Sequence, residues 1–430
     1  MRNKREVVIT GTGLVTPLGV GVEENWKNVQ GMKSGITHIP VDELPLFMQY
    51  KGSVSGVEID TDISPGLQRQ MKFLNRGSLL GFAAAREAFL QAGAELSDTE
   101  PGRRGLYIAS GDLTKAACLF LHEALSDATR GAWQAVDHIT LNESTLYKVN
   151  PYFLLESILN NPFTCISAFL ECMGPNTSLA SHSPCGAQAF ELASRSIADG
   201  QADVAVAVGC GNWITELPLY EMKKLGMLSS CQSGIHSYRP FDVARDGFIA
   251  GEGGAALFLE TAGRAERRGA RILGKVKGFG NSIAWSDDDG LAIPPEVSTQ
   301  SIKLALTAAD TDLKEYAFIC GHGLASVEGD RSELRSIMNV FHSKISDIPL
   351  CGLKPYTGHL GAASDIGEII LGIKSAEEGM VPATLNFVEA EKEYGELKIS
   401  GSHQACHGSC FMTVSYGTGG QSCVSVVQAL

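Results

Sequence analysis

Runs of β-branched residues alternate with Ala- and Leu-rich stretches along the whole chain, which confines it to layered α/β architectures built on largely buried sheets. Val7-Val8-Ile9-Thr10 and residues 105–109, 204–208, 255–259 and 318–320 read as strands. Residues 78–92, 186–198, 299–308 and 362–377 carry apolar positions every three to four residues, the spacing of helices that face a core. Residues 112–175 are less regular and read as a cap of mixed helices and loops. The charged turn at 262–271 follows one glycine-rich strand and precedes another expected at 272–276, so it is the candidate junction between halves 1–265 and 266–430.

A chain of 430 residues with 44% hydrophobic content buries a core as one large or two fused domains. Its net charge of -13 argues against general affinity for nucleic acid or anionic membrane, because the long-range field repels both. No segment approaches the roughly 18 apolar residues of a membrane span. The basic start Met1-Arg-Asn-Lys-Arg-Glu leads into too short an apolar run for a signal peptide, so a soluble, cytoplasmic protein is expected. Eleven scattered cysteines without a Cys-x-x-Cys pair read as reduced thiols. His403, Cys406, His407 and Cys410 crowd one short segment with no distant second pair, so no metal is expected there.

Ser181-His182-Ser183-Pro184-Cys185-Gly186-Ala187-Gln188-Ala189-Phe190 runs from a strand-like segment at 177–180 through a tight turn into an Ala-rich helix. This puts Cys185 at a helix start, where unpaired N–H groups and the helix dipole favour a thiolate, and the sulfur is expected to be a nucleophile near neutral pH. On these residues alone a small buried core cysteine is the competing reading.

Further motifs weigh against that reading. They run from Val7-Val8-Ile9-Thr10-Gly11-Thr12-Gly13-Leu14-Val15-Thr16-Pro17-Leu18-Gly19, Trp26 and Gly35-Ile36 through Gly174-Pro175-Asn176-Thr177-Ser178. They continue with Arg239-Pro240-Phe241-Asp242, Arg245-Asp246-Gly247-Phe248 and Gly251-Glu252-Gly253-Gly254, then Gly321-His322-Gly323 and Tyr356-Thr357-Gly358-His359-Leu360-Gly361. Ser415-Tyr416-Gly417-Thr418-Gly419-Gly420 closes the series. In this order and spacing the chain resembles the elongating β-ketoacyl-[acyl carrier protein] synthases of fatty-acid and polyketide pathways, condensing enzymes of the thiolase superfamily.

The resemblance implies a five-layered αβαβα thiolase fold built from two similar halves, each with a five-stranded mixed sheet. The first half would carry the nucleophile, cap and dimer interface, and the second the two histidines and the glycine-rich oxyanion loop. It makes Cys185, His322 and His359 catalytic. Lys354, Glu368, Asp330 and Glu333 become supporting residues that set orientation and protonation, although each alone would suit a solvated helix face or structural ion pair. The backbone N–H groups of Cys185 and Thr418 would form the oxyanion hole, and Leu324, Ser326, Gly417, Thr418 and Gly419 would meet the substrate. No cofactor is implied beyond the phosphopantetheine of an acyl carrier protein. The implied assembly is a homodimer, or a heterodimer with a related subunit.

Three departures stand out. Thr418 replaces the family's usual phenylalanine gate, Leu324 and Ser326 replace its threonines, and Leu291-Ala292-Ile293-Pro294-Pro295 replaces its His-Met segment. Together they point to a specialised acyl substrate, as in polyketide- or aryl-polyene-type synthases, or to a specialised partner. The counter-reading is a chain-length-factor-like or non-elongating subunit, against which the retained Cys185, His322 and His359 weigh. An acidic carrier protein would need a local basic surface, for which Arg69, Lys72 and Arg76, or Arg264, Arg267, Arg268 and Arg271, are candidates, with a solvated helix face the equal alternative.

Overall fold

The opening strand extends past its β-branched run, from Val7 to Thr16 (β1), because its glycines let a helix lie directly on it. A Cβ at Gly13 would overlap the carbonyl oxygen of Ala84 in the helix Arg76–Ala92 (α1). The protein is described by a computed structural model covering residues 5–41, 44–57, 63–110, 116–153, 155, 161–181, 183–286 and 293–430. His182, Leu291 and Ala292 lie outside the described residues.

The remaining sheet strands are Arg104–Ser110 (β2), Asn176–Leu179 (β3), Val204–Asn212 (β4), Glu252–Thr261 (β5), Gly274–Ile283 (β6), Tyr316–Gly321 (β7), Pro349–Gly352 (β8), Lys398–Ile399 (β9), Cys410–Tyr416 (β10) and Gln421–Ala429 (β11). The expected strand at 272–276 therefore begins and ends later, as β6. Helices Ala116–Thr129 (α2), His138–Lys148 (α3) and Asn161–Leu170 (α4) form the expected cap. Cys185–Ala198 (α5), Thr299–Ala309 (α6), Val327–Phe341 (α7) and Ala362–Glu377 (α8) complete the framework.

Sheet order repeats between the halves. The first runs β3-β2-β4-β5-β1 and the second β8-β7-β10-β11-β6, with β9 added at the outer edge. In both, the first two pairings are parallel and the last two antiparallel. The groups meet edge to edge where Val8 and Ile9 pair with Lys275 and Gly274. In each half the third layer follows the outer parallel strand: β3 leads into α5, and β8 leads through a short turn into α8.

Helices α5 and α8 pack on each other and on strands of both groups, whereas α1 covers only the first group and α6 only the second. The layers are therefore α, β, α, β, α. An inner helix packed between two sheets is buried over most of its length, so α8 buries both its apolar residues and the carboxylates Asp365 and Glu368. Glycines permit the close approach: a Cβ at Gly209 of β4 would stand 2.6 Å from the Ala362 carbonyl oxygen. Gly209→Val should cost about 1–3 kcal/mol by overpacking this contact. A lowered thermal unfolding midpoint checks it, and an unchanged midpoint would mean that β4 and α8 are not in contact there.

Candidate active site

Cys185 is the first residue of α5 and is 1% exposed, with its Sγ donating to the Ser181 carbonyl at 3.4 Å. The expected helix start is present, while the surroundings of the sulfur work against the expected thiolate. Burial, and next the Asp365 carboxylate, push the thiol up to about 12. Asp365 also accepts from the amides of Gly186 at 3.0 Å and Ala187 at 3.4 Å, occupying donors that the sequence reading assigned to the sulfur.

His322 follows β7 and His359 ends the turn between β8 and α8, and their rings meet edge to face with centroids 5.3 Å apart. The Lys354 ammonium stands 3.2 Å from His322 Nδ1 and donates to the His322 carbonyl at 2.7 Å and to Glu368 Oε1 at 2.7 Å. A cation donating to Nδ1 leaves the ring proton on Nε2. Burial holds this imidazole well below its ordinary value, and Lys354 and then His359 act in the same direction. In His359, Nδ1 accepts from the Gly361 amide at 3.1 Å, which again puts the proton on Nε2. Both imidazoles are thereby neutral donors through Nε2.

The supporting residues cluster here and are not solvated. Glu333 accepts from the His322 amide at 2.6 Å and the Gly323 amide at 3.0 Å. Burial, with a smaller push from Asp330, raises its carboxyl to about 8. Asp330 accepts from the amides of Phe241 at 2.7 Å and Ala325 at 2.9 Å. Those two residues have φ of 66° and 61°, a backbone region costly for side chains with a Cβ, so one carboxylate pins two strained turns around the histidine. Burial raises Asp330 to about 6, opposed by Arg245, and Glu368 to about 7, opposed by Lys354.

Leu324 is buried in an apolar cluster with Trp213, Phe248 and Tyr416. The Ser326 hydroxyl caps α7 by accepting from the Gly329 amide at 3.2 Å. Gly417 passes so close to the cysteine's turn that a Cβ would overlap the Ser183 carbonyl, and Gly419 takes a φ of 99°. Thr418, between them, shares with Ser326, Ile293, Pro295 and Arg335 the lining of a cavity of about 430 Å3.

Sequence reasoning missed three neighbours. Trp213 stacks on His359 with centroids 4.5 Å apart, Tyr416 lies 4.5 Å from the His322 ring, and Asp365 contacts the nucleophile's turn. Tyr416 stood inside the closing glycine-rich motif, and Asp365 left a signal as a carboxylate three residues before Glu368 in a largely apolar helix, whereas Trp213 left none.

The basic patches are corrected by the structure. Arg268 is held by Glu260 and by the Ala92 carbonyl at the end of α1, and Arg264 bridges Glu260 and Asp98. Arg76 bonds Glu252 and the Val54 carbonyl, and Arg271 pairs with Glu377. These cations hold elements together, though Arg271 stays exposed, as do Arg69, Lys72 and Arg267. In the His403–Cys410 segment, His403 accepts from the Ala383 amide at 3.0 Å, and no metal-holding cluster occurs among the described residues. No described helix is long and apolar enough to cross a membrane.

Two family models match the chain, "Beta-ketoacyl synthase, N-terminal domain" over residues 4–265 and "Beta-ketoacyl synthase, C-terminal domain" over residues 275–388. A mitochondrial 3-oxoacyl-[acyl-carrier-protein] synthase of Arabidopsis thaliana is 30% identical, over 89% of this chain and 84% of its own. The 3-oxoacyl-[acyl-carrier-protein] synthase 2 of Vibrio cholerae is 29% identical over 91% of each chain. Among solved structures, a β-ketoacyl synthase from Burkholderia phymatum superimposes with a TM-score of 0.84 at 23% identity, over 99% of this chain and 100% of its own. A type II PKS ketosynthase solved with its acyl-carrier protein also gives 0.84, at 24% identity over 99% of this chain and 100% of its own, which extends the likeness in fold.

The Lys354–Glu368 pair yields a separable prediction. Lys354→Met at pH 8 should cost about 3–5 kcal/mol by leaving a buried carboxylate unpaired. The carboxyl is raised above its unfolded value, so the loss should shrink toward pH 5, where folded Glu368 takes up a proton. Lys354→Met with Glu368→Leu should recover most of the stability in denaturant titrations but not the turnover, since His322 still lacks its Nδ1 partner.

Proposed function

Because this chain belongs to the β-ketoacyl synthase family, we propose that it condenses an acyl thioester carried on Cys185 with a malonyl-acyl carrier protein, between His322 and His359. The observation that supports this assignment of residues is the pair of neutral imidazoles opposed at 5.3 Å, each with Nδ1 occupied so that its ring proton sits on Nε2.

In the first half-reaction the Cys185 sulfur attacks the acyl thioester, the pantetheine sulfur leaves, and the thiol proton passes to it. The backbone amides of Cys185 and Thr418 receive the tetrahedral oxygen. In the second, the malonyl carboxylate leaves as CO₂ and its electron pair becomes an enolate, whose oxygen takes the two Nε2–H bonds. A dry pocket strengthens both bonds. The enolate carbon then attacks the acyl carbonyl, Cys185 departs and recovers one proton from solvent, and the product is a β-ketoacyl thioester two carbons longer. Protonated imidazoles are not required, so the low proton affinity of His322 suits the role.

The cavity bordered by Ser326 and Thr418 is the proposed pantetheine entrance. With Thr418 for phenylalanine, that entrance lacks the aromatic gate of the usual family pattern, in keeping with a specialised acyl group. No cofactor beyond the carrier's own pantetheine takes part, and the setting is cytoplasmic. We take residues 1–265 and 266–430 as the functional halves.

The dimer, with a second copy or a related subunit, would form along the first half. There β3 is a sheet edge, and the cap exposes Ile139 at 73%, Leu146 at 79% and Tyr147 at 88%. Arg69, Lys72 and Arg267 remain as docking candidates for the acidic carrier. Intact-protein mass after mixing with acyl thioesters tests the reading. A single acyl adduct on the wild type, absent from Cys185→Ala and discharged by malonyl carrier protein, is expected. A folded wild type that takes no acyl group would favour the non-elongating subunit.

A further inference from the structure

Helix α8 carries Asp365 one turn before Glu368 and directs it at the other inner helix. Its Oδ2 accepts from the Gly186 and Ala187 amides at 3.0 and 3.4 Å, and its Oδ1 accepts from the Ser183 hydroxyl at 3.3 Å. These groups bracket Cys185 on both sides in sequence, and Gly186 is the residue that lets the two helices touch, since a Cβ there would overlap the Ala362 carbonyl. A carboxylate in this position consumes the helix-terminal donors that would otherwise stabilise a cysteine thiolate. It also adds a negative charge beside the sulfur.

We propose that Asp365 is a positioning residue that fixes the turn at Cys185 and holds the nucleophile in its thiol form, so that its proton leaves only in exchange with a delivered thioester. The exchange balances without another reactant: acyl–S–pantetheine and Cys185–SH give acyl–S–Cys185 and HS–pantetheine. The inference deepens the synthase reading and rests on it for the identity of that thioester. A thiol held this way resists small electrophiles and discriminates against stray acyl donors.

Both oxygens of Asp365 accept hydrogen bonds, as a carboxylate's do. Ser183 faces it from the turn, Ser415 from β10 and Cys423 from β11, and the two amides come from α5. Burial raises its carboxyl, while Lys354, Ser415 and the Ala187 and Gly186 amides draw it back, and Glu368 on the same helix is its acidic neighbour.

The test is the rate of alkylation of Cys185 by iodoacetamide between pH 6 and 10, read by peptide mass, for the wild type, Asp365→Asn and Asp365→Gly. Asparagine keeps an acceptor for the Gly186 amide, and glycine leaves room for water to cap it. The wild-type rate should climb about tenfold per pH unit to at least pH 9 without a plateau. Either folded variant should react at least tenfold faster than wild type at pH 7, with its curve bending at lower pH. Variant profiles that superimpose on wild type would overturn the proposal, and so would a wild-type plateau below pH 8, which needs no variant to fold. Alkylation does not depend on turnover, so loss of the acyl adduct would sink the synthase reading while leaving this result standing.

Discussion

The contact between α5 and α8 organises the rest of the molecule. Both inner helices are mostly buried, each touches strands of both sheet groups, and each opens at or just after a residue of the candidate site. Cys185 begins α5, and His359 precedes α8 by the short link Leu360-Gly361. Two chain segments about 170 residues apart are thus held in register by backbone packing that glycines alone permit, and reacting groups supported this way are fixed more closely than loops alone would allow.

Electrostatics follow from the same burial. Asp330, Glu333, Lys354, Asp365 and Glu368 all lie in a region that water does not reach, where an unsatisfied charge costs several kcal/mol. Each is met by an amide, a hydroxyl or an opposite charge. The outcome is a division of labour: Asp330 and Glu333 hold backbone, Lys354 and Glu368 fix the tautomer of His322, and Asp365 holds the turn of the nucleophile. Low dielectric also favours neutral His322, the state in which the proposed mechanism has it donate through Nε2.

Much of this was legible in the chain, and what was not has one physical origin. The alternation of strands and helices and the motifs around Cys185, His322 and His359 are local patterns, so their elements appear within a few residues of expectation; Ala362–Glu377 matches to the residue. The helix start at Cys185 is a local pattern, whereas the Asp365 carboxylate that occupies its amides arrives from about 180 residues away and left no pattern beside the cysteine. Arg268 was misread as a surface charge, since the Glu260 and Ala92 groups that hold it are distant in sequence or belong to another layer. Trp213 left no pattern at all, because stacking on an imidazole requires no spacing.

Single-turnover discharge of the preformed acyl enzyme tests the central claim most directly, comparing wild type with His322→Ala and His359→Ala after each has been loaded at Cys185. If two neutral imidazoles stabilise the enolate, both variants should still accept the acyl group, while CO₂ release and discharge by malonyl carrier protein fall by about 100-fold or more. Acyl enzymes of either variant that discharge at the wild-type rate would contradict the account and move the enolate away from the His322–His359 pair.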